Sequence, residues 1–347
     1  MYPSLTREIP MRTRLLQLAQ TLPLFLSKDN QPYVACPTAV PLYSEDFFGW
    51  LLCESIKRFA YHPSQYELSW VIRTLDQQAR QQKIKTTVHT RIAKLSPKSY
   101  QIDLTPDAQN GINITGKHWQ QTQKFKAQFE RFEAHTSLPI PEPTALTLGD
   151  CFNQIFQTSP EISAKLAIWL AEAFLPDQKP PILMITGDAR DEAVTMLRNL
   201  IDPVHNPIIY SPGCPIELNR MALENRVLAF SFRGQPTEKL INKLNTMHEG
   251  ARVHLRHSNK RRPKLFTTVE RPIIIASAKP ITLNKDQMSI EINQAPETEM
   301  GKVFYALLNL IVEIVAQEEQ KKKYQAKTAP RAFAADSANH PQTIDTS

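Results

Sequence analysis

The chain has 347 residues, 41% of them hydrophobic and 22% charged, with a formal net charge of +7. Such a length is a prior for two domains with a sizeable core, and the composition excludes a wholly disordered, collagen-like or disulfide-scaffold protein. Nine glycines against 27 prolines argue against several phosphate-cradling loops, and the positive charge permits an anionic partner without demanding one. The four cysteines, Cys36, Cys53, Cys151 and Cys214, form no CxxC pair. That leaves no zinc ribbon or redox motif and reads as a reduced, cytoplasmic chain. No run reaches 18 uninterrupted apolar residues, so neither a transmembrane helix nor a membrane partner is expected. Arg12, Arg14 and the stretch 15–26 look faintly like a signal peptide. Gln17, Gln20 and Pro23 break that stretch, so 1–23 reads as a short packed helix or arm.

Leu24–Leu26 and Tyr33–Cys36 flank Lys28-Asp29-Asn30-Gln31, a hairpin pattern. Ser44 caps a predicted helix running to about Phe59, with Phe47, Phe48, Leu51, Leu52 and Ile56 on one face. Ser64 and Glu67 form a capping box ahead of Leu68, Val71, Ile72, Leu75 and Ala79 at helical spacing. Val88, Thr90 and Ile92 alternate as a strand, and Tyr100–Leu104 and Ile112–Ile114 read as further strands. Helices followed by a small sheet predict a winged-helix-like or other small α+β module over 24–137, equally compatible with a scaffold and with a binding role. The run Leu138-Pro139-Ile140-Pro141-Glu142-Pro143 reads as a stiff linker and the domain boundary.

From 144 to 317 strands and helices alternate. Pro181–Thr186, Arg226–Ser231 and Arg271–Ser277 are buried-strand candidates, with shorter strands at Pro207–Tyr210 and Gln287–Ile292. Helices are predicted over Asp191–Ile201, Pro215–Glu224, Thr237–Met247 and Met300–Gln317, the last with an apolar stripe from Val303 to Val315. This order predicts an α/β sandwich with a mostly parallel sheet. The polar residues 318–347 read as a disordered tail.

Strand, glycine, helix is the layout of a phosphate-binding P-loop, and Thr186-Gly187-Asp188-Ala189-Arg190-Asp191 has it. A working loop needs a lysine at the β/γ-phosphates and a hydroxyl for Mg²⁺. Here those positions hold Arg190 and Asp191, and by itself the segment is an ordinary strand-to-helix turn. His254 with His257, the isolated His205 and His248, and Cys214 lack the companions of a metal or nucleophilic site.

Several ordered segments nevertheless carry a resemblance: Leu24–Tyr33, Tyr43–Leu51, His89–Ile92, Leu138–Pro143, Leu197-Arg198-Asn199-Leu200-Ile201-Asp202-Pro203 and Arg271–Ile274. Through them the chain, from about Leu24 to Gln317, resembles the ATPase proteins of prophages and mobile elements related to superfamily-three viral primase–helicases of the AAA+ class. The resemblance implies an AAA+/P-loop-like α/β domain with Mg-ATP as cofactor. Its motif positions depart from that pattern. The Lys and Mg²⁺-hydroxyl positions fall on Arg190 and Asp191 after Gly187, the Mg²⁺-associated Asp on Ser231, the sensor Asn on Ala276 and the expected arginine on Gln287. Losing the counter-charges for a transferring phosphoryl group predicts a degenerate ATPase without cofactor, the vestigial site being Gly187, Arg190, Asp191, Ser231, Ala276 and Gln287.

Ala251–Val269 reads as a hairpin between core strands. It carries Arg252, Arg256, Lys260, Arg261, Arg262 and Lys264 and no acidic residue. In the resembling ring helicases a hairpin at this place projects toward DNA, usually with acidic residues near its tip, so the basic tip is a departure. It suits phosphate contacts, strong but sequence-neutral. Phe266, in the returning strand, is expected in the core, with stacking on an exposed base as the alternative. The expectations are therefore a catalytically silent accessory protein binding DNA through 251–269, a residual ATPase or helicase, or an adaptor docking on an acidic partner. A replication-protein partner and a homo-oligomer are left open.

Overall fold

The computed structural model describes residues 9–36, 38–105, 110–209, 215–255, 265–283, 286–296 and 299–328. Helix α1 (Met11–Ala19) packs on the N-terminal module, whose strands β1 (Leu24–Leu26), β2 (Pro32–Cys36) and β3 (Thr38–Pro41) form an antiparallel sheet. Helices α2 (Glu45–Phe59) and α3 (Gln65–Gln82) begin at the expected caps. Ser44 accepts from the Phe47 amide, and Ser64 with Glu67 closes a reciprocal capping box. Their inward faces, Phe47, Leu51, Leu68, Val71 and Leu75, bury with Leu15 and Val34 in a core of their own.

The single strand expected around Val88–Ile92 is broken in two, β4 (Val88–His89) and β5 (Ile92–Ser96). Arg91 sits between them at φ 64°, a left-handed conformation that turns its side chain inward rather than along the pleat. Strands β5, β6 (Ser99–Asp103), β7 (Gly111–Thr115) and β8 (Trp119–Thr122) make an antiparallel sheet, and β9 (Gln128–Phe129) pairs parallel with β4.

The linker 138–143 is not a free spacer. The Leu138 amide donates to Leu104 O and the Glu142 amide to Gly301 O. The core also crosses this expected boundary: Ile92, Tyr100, Ile102, Ile112 and Ile114 share one cluster with Phe174, Leu197, Phe304 and Leu307. The sheet β5–β8 thus packs with the C-terminal domain. Trp119 Nε1 donates to Asn309 Oδ1 at 3.0 Å and its ring stands edge-on to Tyr305.

That domain opens with two helices not anticipated above, α4 (Leu148–Phe156), capped by Thr147, and α5 (Pro160–Phe174), capped by Ser159. Then follow β10 (Ile182–Thr186), α6 (Arg190–Ile201), α7 (Pro215–Glu224), β11 (Leu228–Phe232), α8 (Glu238–Glu249), the hairpin β12 (Ala251–Leu255) with β13 (Leu265–Val269), β14 (Ile273–Ser277), β15 (Gln287–Glu291) and α9 (Met300–Thr328). The sheet runs β11-β14-β10-β15, every pair parallel. The fold is mixed α/β, as expected for continuous apolar strands buried on both faces. The strand expected at 207–210 is a single parallel bridge between Ile209 and Phe230; Tyr210 lies outside the described residues. Met300–Gln317 is apolar enough by composition to span a membrane, with mean hydropathy 1.4. Its stripe, Val303, Phe304, Leu307, Leu308, Ile311 and Val315, is buried in the shared core. Residues expected in a disordered tail from 318 continue this helix to Thr328. The segment 318–328 holds Glu, Gln and Lys with no Gly or Pro to stop it.

One buried charge pair joins these parts. Arg91 Nε donates to Asp202 Oδ1 at 3.1 Å, and Arg91 Nη2 donates to Thr136 O and Pro203 O. Asp202 Oδ2 accepts the Arg226 amide at 2.6 Å. Arg91 and Asp202 are 2% and 0% exposed. Replacing Asp202 with alanine leaves Arg91 charged, buried and unpaired, and should cost about 3–5 kcal/mol in urea unfolding. A loss below about 1 kcal/mol would show the pair to be energetically idle.

Candidate functional site

In an open parallel sheet, ligands bind beyond the carboxyl ends of the strands, where the connections diverge to opposite sides. That point is the carboxyl end of β10, since the chain leaves it for β11 by way of α6 and later returns through β14 to β15 on its other side. Gly187 sits there at φ +100°. Ala276 pairs with Ile185 on one side and with Ser231 on the other, so Gly187, Arg190, Asp191, Ser231 and Ala276 are brought together. Gln287 is not. It pairs with Ile182 at the opposite end of the sheet, about 16 Å from the loop at ~3.3 Å per residue. There its side chain accepts from the Leu283 amide and donates to Ser289.

The loop amides that would cradle phosphates are engaged by the chain itself. The Asp188 amide donates to Asn293 Oδ1 at 3.2 Å and the Ala189 amide to Ile292 O at 3.1 Å. A Cβ at Gly187 would lie 2.3 Å from Ile292 O and 2.5 Å from Asn293 Oδ1, so the segment after β15 fills the space over the loop. Arg190 does not reach outward, because its Nη1 donates back to Gly187 O at 3.0 Å. Its buried Nε has no partner among the described residues. Ser231 Oγ donates to Asp191 Oδ1 at 2.7 Å. The first turn of α6 and the carboxyl end of β11 are thus in direct contact. Asp191 and Glu192 occupy the first turn of α6 and offset the positive end of its dipole. Ile292 and Asn293, which occupy the loop, carried no signal in the sequence because they approach it from a distant strand end.

Of the basic hairpin, strands β12 and β13 pair from Ala251↔Val269 to Leu255↔Leu265; Arg256, Lys260, Arg261, Arg262 and Lys264 lie outside the described residues. Arg252 is exposed, with its guanidinium 4.6 Å above the Phe266 ring. Phe266 is 40% exposed and so is not the core residue expected. It shares a face with Arg252, while Val253 and Val269 turn inward. Among the described residues no group of three His, Cys, Asp or Glu side chains could hold a metal.

A second concavity, about 850 Å³, lies where the N-terminal sheet meets residues 130–137, lined by Glu45, Asp46, Glu130 and Glu133 among others. Tyr33 OH donates to Glu130 Oε2 at 2.9 Å. Burial pushes the Glu130 carboxyl up to about 7, opposed by the Tyr33 hydrogen bond and reinforced by Glu224 and Asp46.

No protein-family model matches the chain, and no curated protein matches it. Among solved structures, the A form apo structure of the NrS-1 C-terminal region aligns with a TM-score of 0.44 at 9% identity, covering 88% of this chain and 68% of that one. A JCV helicase structure aligns with a TM-score of 0.24 at 11% identity, over 51% of this chain and 66% of that one. Likenesses this distant decide neither family nor function.

Two measurements test this geometry. Gly187→Ala places a Cβ against Ile292 O in a left-handed backbone and should lower stability by at least about 1–3 kcal/mol; a neutral effect would mean that the 292–293 segment does not cover the loop. For Glu130, the folded carboxyl lies above its ordinary 4.5, so its stabilising contribution is present below about 4.5 and is lost as pH rises through about 7. Glu130→Gln should flatten that decline in urea melts taken across the window, and an unchanged pH profile would assign it to other groups.

Proposed function

We propose that the chain is a nucleotide-silent homologue of the superfamily-three primase–helicase ATPases of phages and mobile elements. In this reading it acts in the cytoplasm as a nucleic-acid-binding accessory protein of replication. The observation that carries the reading is the occupied loop: two amides beyond β10 are bonded to Ile292 O and Asn293 Oδ1, and Arg190 turns back on Gly187 O. A phosphate at this place would have to displace the chain's own acceptors and then face Asp191 and Glu192. Nucleic acid is assigned to the hairpin because six cations without an acidic neighbour lie between 251 and 269.

A residual ATPase is the second reading, favoured by the Asp191–Ser231 contact, which keeps one carboxylate and one hydroxyl at the Mg²⁺ positions. Thermal unfolding with Mg-ATP separates the two. A ligand at 100 times its dissociation constant adds about 2.7 kcal/mol, and no such gain is expected here. Arg190→Lys should restore no turnover, because these groups act as a unit. Stabilisation by Mg-ATP together with turnover would reinstate the ATPase.

For the hairpin, replacing Lys260, Arg261 and Arg262 with alanine should shrink the log–log salt slope of DNA binding by up to about 3, at ~0.9 per phosphate contact. An unchanged slope removes the hairpin as the contact. Absence of binding at low salt in the unsubstituted protein moves the assignment to an acidic protein partner.

A further inference from the structure

The opposite edge of the parallel sheet, where β10, β11 and β14 begin, holds a cavity of about 130 Å³ among Asp177, Lys179, Arg226, His248, Glu270 and Arg271. Arg226 is 7% exposed. Its Nη2 donates to Ala173 O and Leu175 O at the end of α5, while its Nε is buried without a partner among the described residues. Arg271 Nε donates to Ala222 O at 2.8 Å and Nη1 to Glu270 O at 3.0 Å. Both guanidinium groups therefore spend donors on carbonyls, which satisfy hydrogen bonds but bring no full negative charge.

The carboxylates at the cavity are each shared with a lysine. Asp177 is bonded to Lys94 and accepts from Tyr100 OH, and Glu270 pairs with Lys179 at 3.2 Å. Burial pushes Arg226 down to about 10, opposed by the charges of Asp202, Asp177 and Glu270. Burial pushes Arg271 down to about 9, and the charge of Arg226 acts in the same direction, opposed by Asp202 and Glu270. Two like charges beside one cavity, Arg226 buried and Arg271 partly buried, are held together at a cost that an anion between them would relieve.

We propose that this cavity binds a single tetrahedral oxyanion of the phosphate class, held by the guanidinium groups of Arg226 and Arg271. The volume equals about four waters at ~30 Å³ each, suited to one such group and too small for a nucleotide, whose sites run to about 300 Å³ or more. Planar guanidinium forks match the geometry of these anions. The oxyanion comes either as free inorganic phosphate or as the terminal phosphate of a nucleic-acid strand, entering past the half-exposed side chains of Lys179 and Glu270. The site lies across the sheet from Gly187 and rests on no part of the nucleotide reading.

The test titrates the full chain with sodium phosphate, against sodium chloride at equal ionic strength, by calorimetry and thermal unfolding. Phosphate is expected to bind and to raise the melting temperature where chloride does not. Glu270→Gln, which removes an exposed negative charge from the rim, should tighten phosphate binding about threefold; this gain cannot come from misfolding. Arg271→Gln should weaken binding at least about tenfold, the worth of a charge-assisted hydrogen bond. Tighter binding of a 5′-phosphorylated than of a 5′-hydroxyl oligonucleotide, lost in Arg271→Gln, identifies a strand end as the source. Equal binding of the two identifies the free anion. Reproduction of the effect by chloride, or wild-type phosphate affinity in Glu270→Gln, overturns the site, and the latter criterion holds even if Arg271→Gln fails to fold.

Discussion

Taking Arg91 and Asp202 out of water is the step on which the arrangement of this molecule depends. Desolvating two ions costs several kcal/mol each, and their attraction repays it only if the remaining donors and acceptors are also satisfied. Here they are. Arg91 reaches Asp202, Thr136 O and Pro203 O, and Asp202 also receives the Arg226 amide. His135, 3.7 Å from Asp202, is held toward its neutral form by burial, so the pair stays close to electroneutral. Each of these partners comes from a different part of the chain: the β4–β5 junction, the strap before the linker, the end of α6 and the start of β11. Meeting all of them at once fixes one relative placement of the small sheet and the parallel sheet. Apolar contacts alone, tolerant of sliding, would specify it less sharply.

This accounts for where the resembling segments lie. The run Leu197–Pro203 supplies Asp202, and His89–Ile92 supplies Arg91. Arg198 in the same run is 2% exposed and donates to Pro207 O and Asn225 Oδ1, which positions the approach to β11. Leu138 and Glu142 of the proline-rich segment bond to Leu104 and Gly301. These residues build the joint between the two sheets, not a nucleotide site.

What was legible in the sequence follows from how local its cause is. Ser44 and Ser64 announce their helices because a cap acts within three residues, and Ile182–Thr186 and Ile273–Ser277 announce buried strands because the first four of their five positions are apolar. Arg91 was not legible: the partners its side chain meets lie 45 to 112 positions away. Nor was Gln287, whose place depends on the register of β15 against β10. The covering of Gly187 by Ile292 and Asn293 has the same origin, since only the parallel pairing of β15 with β10 brings that strand end over the loop. The boundary at 138–143 was read from prolines, whereas the core follows α9, which draws the β5–β8 sheet into the second domain.

The two edges of the parallel sheet then differ in a way that charge alone explains. At the carboxyl edge the N-terminus of α6 offers a positive dipole end, the usual seat of an anion. Asp191 and Glu192 stand in that first turn, and Ile292 O and Asn293 Oδ1 take the nearby amides, so the local positive potential is already offset by fixed groups. At the amino edge the order is reversed. The helix end that Arg226 meets is the C-terminus of α5, whose carbonyls accept its Nη2 but carry only the partial charge of a dipole. Arg271 likewise finds carbonyls at Ala222 and Glu270. A partial charge cannot balance a full one in a desolvated place, and the nearby carboxylates, Asp177, Glu270 and Asp202, are shared with Lys94, Lys179 and Arg91. The positive potential of this domain's core is accordingly displaced from the edge where a P-loop would use it to the edge where the strands begin.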